Sequence, residues 1–130
     1  MHHNFVARER WAGRELLVHR KGAVAVPEGA RALVPGSMGT ASYVVEGLGN
    51  PLSFGSCSHG AGRVMSRTEA RARISARAHE AAVRGVVVHG GRAMVEESPA
   101  AYRDIGEVLR AQEDLVRRVV RLEPVAVLKG

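Results

Sequence analysis

The sequence predicts an α+β fold of mixed and antiparallel strands with two principal helices, and three observations carry that expectation. Short Val-rich runs bounded by Gly or Pro cluster before residue 53 and return at the C-terminal end. Two stretches between them place their apolar residues at helical spacing. Strands and helices do not alternate along the chain, as a doubly wound sheet would require. With 130 residues, a single unit spanning 1–130 is expected, large enough to bury a core. No internal repeat is present.

Taken in order, His2, His3 and Asn4 run into Phe5 and Val6. Neighbouring side chains in a strand point to opposite faces, so only one of His2 and His3 can face a site; a frayed terminus is the competing reading. Arg14 to Val26 reads as a strand, a turn at Lys21 and Gly22, and a second short strand. Pro27, Gly29, Pro35 and Gly36 set the apolar piece Ala32 to Val34 between loops. Residues 36–42 form a small-residue loop whose hydroxyls, Ser37, Thr40 and Ser42, suit a nucleotide or phosphate. Gly and Ser also fill ordinary turns, and no Gly-Lys-Ser/Thr follows, so this is not a Walker A motif. Tyr43 to Val45 resumes a strand.

Beyond Arg67 a helix is expected, with Ala70, Ile74, Ala78, Ala81 and Ala82 on one face, Ser66 or Thr68 as its cap and Gly85 as its stop. Arg67 and Arg71 then point toward the fold, Arg73, Arg77 and Arg84 toward solvent, and His79 lies on the surface. Val86 to His89 reads as a short buried strand and Glu96 to Pro99 as a turn. Ile105, Val108, Leu109 and Leu115 make a second amphipathic helix. Alternating apolar residues from Val116 to Leu128, interrupted by Pro124, lead to Lys129 and Gly130.

Nineteen Lys and Arg against thirteen Asp and Glu give a net charge of +6. Because the guanidinium fork matches phosphate, RNA, DNA or a nucleotide is one reading of this balance; a solvated arginine-rich surface is the other. Five aromatic residues are too few for a base-stacking platform, so recognition should lean on phosphates. The single cysteine, Cys57, excludes an internal disulfide and reads as a small buried residue. No apolar run reaches bilayer length and the N-terminus lacks a signal peptide's apolar core; a soluble, cytoplasmic protein is expected.

The stretch from Ser53 to Arg67, SFGSCSHGAGRVMSR, concentrates the chemistry. It sets His59 among small residues and follows it with Arg63 and Arg67. Glycines let a ligand approach the backbone, arginines clamp phosphate, and histidine can attack an electrophile covalently. A phosphate site with a reactive histidine follows.

HHNFV, LVHRKGAVAV, VPGSMGTASYVVEGLG, SFGSCSHGAGRVMSR, ESPAAYRDI and the final VAVLKG, in this order, resemble the C-terminal portion of the RtcB RNA-splicing ligases over essentially the whole chain. The resemblance implies a C-terminal piece of the RtcB fold. It also implies a ligase that uses GTP and manganese to join RNA ending in a 2',3'-cyclic phosphate or 3'-phosphate, such as tRNA halves or broken RNA, to a 5'-hydroxyl. His59 would become the covalent histidine-GMP adduct. Ser37, Ser42, His59, Gly60, Ala61, Gly62, Tyr102 and Lys129 would surround the nucleotide, Arg63 and Arg67 would hold RNA phosphate, and His3 would ligate manganese. An activating protein is a further partner that the resemblance admits.

The family's N-terminal part, which would add an aspartate, a cysteine and two more histidines to a dinuclear manganese site, has no counterpart here. Cys57 does not match the family's cysteine ligand. The alternative is a non-catalytic guanine-nucleotide or RNA-binding fragment. A core shared with the remainder of such a fold would leave apolar surface exposed, so the isolated chain is expected to be poorly stable or to associate.

Overall fold

A computed structural model describes residues 4–89 and 92–128. Its architecture is α+β, as expected. Strands β1 (Asn4–Trp11) and β2 (Arg14–Lys21) form an antiparallel hairpin. β3 (Ala23–Ala25) pairs antiparallel with β6 (Ser56–Ser58), bringing the end of the hairpin beside the residues that precede His59. β4 (Arg31–Val34), β5 (Ser42–Gly47) and β8 (Val116–Leu122) make an antiparallel sheet in the order β4-β5-β8. β7 (Val87–His89) runs parallel to β9 (Ala126–Leu128).

One face of the three-stranded sheet carries Val34, Val45 and Val116 into the core, where they meet Val26, Cys57, Ala61, Ile105 and Leu109. Ile105 and Leu109 come from helix α3 (Ile105–Arg110), capped by the Asp104 carboxylate, which accepts from the Glu107 amide at 2.8 Å. Cys57 is buried as expected, and burial pushes its thiol up to about 11. The opposite sheet face is also apolar. Leu33, Val44 and Val120 stand side by side across the three strands, and Leu33, Val120 and Leu122 are exposed.

Four expectations are corrected. The helix after Arg67 is two helices, α1 (Arg67–Arg73) and α2 (Ala76–Ala82), separated where Ile74 turns extended, so the described residues hold three α-helices. Ser66 caps the first as expected, accepting from the Glu69 amide, and Ser75 caps the second in the same way. The restart shifts the helical phase, so His79 is buried and Ala78, Ala81 and Ala82 are exposed. β7 is not buried, since Val87 is 70% exposed. Leu115 lies in the turn beyond α3 and still packs on the core.

Candidate functional site

Local geometry fixes the backbone around His59 from three sides. Its amide donates to the carbonyl of Gly22 at 3.2 Å, and the Ala61 amide donates to the carbonyl of Pro35 at 2.9 Å. The Gln112 side chain, just beyond α3, accepts from the Ser58 amide at 2.6 Å and donates to the Ser58 hydroxyl at 2.9 Å. Gly60 packs so closely that a Cβ there would lie 3.0 Å from the Pro35 carbonyl. Two of the loop's amides therefore hold the loop itself in place. Those of Gly60 and Gly62 meet no backbone acceptor among the described residues.

The loop walls an open pocket of about 630 Å³ that His59, Gly60, Ala61, Gly62 and Arg63 line together with Leu33, Pro35, Gly36 and Tyr102. An adjoining pocket of about 490 Å³ shares Pro35, Gly36 and Tyr102 and adds Ser37, Ser42, Arg67 and Glu97. The structure thus gathers Ser37, Ser42, the 59–62 loop, Arg63, Arg67 and Tyr102 around two adjoining cavities. His2, His3 and Lys129 lie outside the described residues.

The 36–42 loop is tied by its own hydroxyls. Thr40 Oγ1 accepts from the Ser37 amide at 2.7 Å, and the Ser42 hydroxyl accepts from the Gly36 amide at 3.2 Å. A Cβ on Gly39 would come within 2.4 Å of the Ala82 carbonyl, so glycine lets this loop seat against the end of α2.

The arginines differ from one another. Arg63 directs Nε to the Met65 carbonyl at 3.0 Å, Nη1 to the Tyr102 hydroxyl at 3.1 Å and the Glu97 carboxylate at 3.2 Å, and Nη2 to the Glu96 carbonyl at 2.6 Å. Its guanidinium also sits 5.0 Å from the centre of the Tyr102 ring. Arg63 therefore braces Tyr102 against the 96–97 segment. Arg67, 64% exposed, lies 3.4 Å from Glu97 and 3.8 Å from Glu96, and Arg71 lies 3.0 Å from Glu96.

The Tyr102 hydroxyl donates to Glu97. Burial first, and then that carboxylate, raise the phenol above its ordinary value. Sequence reading missed Glu96, Glu97 and Gln112. Glu96 and Glu97 lie in what reads as a turn; Glu97 opens the ESPAAYRDI stretch, but neither acid carries a spacing that marks it as a site residue. Gln112 gave no signal.

The family model for the tRNA-splicing ligase RtcB matches residues 1–130. The chain belongs to the RtcB family. It is 46% identical over 129 residues to the RNA-splicing ligase RtcB of Escherichia coli (strain K12), covering 99% of this chain and 32% of that relative. The RNA-splicing ligase RtcB of Mycobacterium tuberculosis (strain ATCC 25618 / H37Rv) is 44% identical over 137 residues, covering 90% of this chain and 32% of the relative. The tRNA-splicing ligase RtcB of Pyrobaculum aerophilum is 40% identical over 147 residues, covering 96% and 30% respectively. The chain thus spans about a third of the length of the RtcB relatives it matches.

Among the described residues no three His, Cys, Asp or Glu side chains are grouped to hold a metal ion, and no helix is long and apolar enough to cross a membrane.

Proposed function

We propose that this chain carries the nucleotide-accepting part of a GTP- and manganese-dependent RNA ligase acting in the cytoplasm. In this reading it joins RNA 2',3'-cyclic phosphate or 3'-phosphate ends to 5'-hydroxyl ends through a histidine-GMP intermediate at His59. The observation that supports it best is His59 on a braced loop at the wall of a pocket whose neighbour holds Ser37, Ser42 and Arg67. A nucleophile must meet phosphorus in a fixed orientation, and Gly22, Pro35 and Gln112 restrain the loop that carries it. Nε2 or Nδ1 of a neutral imidazole attacks the α-phosphorus of GTP, the N–P bond forms, and pyrophosphate leaves with the electron pair. Tyr102, held by Arg63 and Glu97, walls both cavities.

The described residues do not by themselves form a metal-binding group. His3 is the ligand this chain would contribute, with the others supplied from outside it. RNA is the macromolecular partner, tRNA halves or broken ends being its source, and an activating protein is a further one. Labelled GTP and manganese, added with and without the remaining part of an RtcB relative, test the proposal. A covalent GMP adduct lost in His59→Ala is expected; no such adduct in the complemented protein would sink it. The net charge of +6 favours a second reading, a binding fragment without catalysis, in which GTP and 3'-phosphate RNA bind but no adduct forms.

A further inference from the structure

The 59–62 loop borders a second cavity, of about 380 Å³, lined by His59, Gly60, Gly62, Arg103, Gln112 and Gly22 among others. We infer that this cavity is a phosphate subsite in which Arg103 is the cation that receives a terminal phosphate group. The inference rests on the reading of His59 as nucleotide acceptor and assigns the anion chemistry beside it.

The arginines expected to serve phosphate are already engaged: Arg63 with the 96–97 segment, Met65 and Tyr102, and Arg67 with Glu96 and Glu97. The guanidinium of Arg103 makes no hydrogen bond or ion pair among the described residues. Its main chain is fixed, since its amide donates to the Gly62 carbonyl at 3.0 Å. Its Nη1 lies only 3.1 Å from where a Cβ on Gly62 would stand, so glycine there admits the guanidinium against the loop. Asp104 and Glu107 share a neighbouring cavity with Arg103, yet neither forms an ion pair with it, and Asp104 accepts from the Glu107 amide. A cation without a carboxylate partner, beside the uncommitted amides of Gly60 and Gly62, complements a phosphate oxyanion.

That group has two sources in the proposed reaction: the pyrophosphate of a nucleoside triphosphate and the terminal 3'-phosphate of RNA. The test is calorimetric titration of the full chain with inorganic pyrophosphate, and with a short RNA ending in 3'-phosphate or 3'-hydroxyl. Wild type is compared with Arg103→Gln, Arg103→Lys and, as a surface-charge control, Arg77→Gln. The Gln variant is expected to lose about tenfold or more in affinity for pyrophosphate, or in the preference for 3'-phosphate over 3'-hydroxyl RNA. Arg103→Lys should recover part of the loss, and Arg77→Gln should bind as wild type.

Loss for pyrophosphate alone assigns the subsite to the leaving group, and loss for the RNA end alone assigns it to the acceptor. Wild-type affinity for both in Arg103→Gln, equal weakening in Arg77→Gln, or no binding of either anion by wild type overturns the inference. The His59 adduct is scored separately. Its absence beside an intact Arg103 effect defeats the ligase reading and leaves the phosphate site standing.

Discussion

Arg20 is a cation that is 4% exposed, and its surroundings explain how it is tolerated. Its Nη1 and Nη2 reach both oxygens of Glu9, at 2.5 and 2.9 Å, its Nε donates to the Ser56 hydroxyl at 2.9 Å, and Nη2 also donates to the Phe54 carbonyl at 2.8 Å. A bidentate pair with additional acceptors meets the condition under which a buried charge costs least, while removing one partner leaves the other uncompensated. Trp11 packs edge-on against Phe54 beside this junction. These contacts fix the β1–β2 hairpin to the segment leading to His59. Glu9→Gln should therefore destabilise the chain by about 2 to 3 kcal/mol, read as a lower denaturant midpoint at fixed protein concentration. The hydrogen bonds from Arg20 hold the Glu9 carboxyl below its ordinary 4.5, with burial opposing. The stability it contributes is fully present above that ordinary value and is lost as pH falls through the lowered folded one. An acid limb unchanged in Glu9→Gln would contradict the assignment.

At the scale of elements, what sequence could reveal depended on how local the determining contact was. Ser66 was recognisable as a cap because its acceptor role reaches only three residues along the chain. Ser75 acts in the same way, but the alanines around it continued a helical pattern, so the break and the buried His79 were not legible. The 36–42 loop announced itself through closely spaced glycines and hydroxyls, and the structure sets Ser37 and Ser42 on the pocket wall. Gln112 could not announce itself, because it acts on Ser58, 54 residues away. Its side chain also donates to the Val108 carbonyl at 2.9 Å, so α3 holds the loop through one amide group. Gln112→Leu keeps the bulk but leaves the Ser58 amide without its acceptor, a loss of about 1 to 3 kcal/mol. Hydrogen exchange at Ser58 and His59 should accelerate relative to β5. Exchange at wild-type rate would show that β3 and Gly22 suffice to hold the loop.

The whole molecule presents a sheet that is apolar on both faces. Sheets of that kind are ordinarily covered on both sides. Here one side meets the core, while Leu33, Val44 and Val120 form a row on the other, with Leu122 beside them. β4 and β8 are edge strands within this sheet, and an edge next to an exposed apolar row is a template for pairing with another chain. Arg117, Arg118 and Arg121 on β8 oppose such pairing by charge, and Arg117 is held by Glu46 at 2.6 Å. RtcB relatives have about two thirds of their length beyond the part matched here, and so have chain available to cover this face. In a solution of the 130-residue chain, a second copy can meet the exposed row. Sedimentation velocity should therefore show association that grows with concentration and is strengthened by salt, which screens the β8 arginines. Val120→Lys places a charge at the β8 end of the row, beside Leu122, without entering the core, and it should shift the chain toward monomer while leaving the melting transition of the monomer in place. A wild-type chain that sediments as a monomer at every concentration and salt would show that the exposed row is tolerated in water.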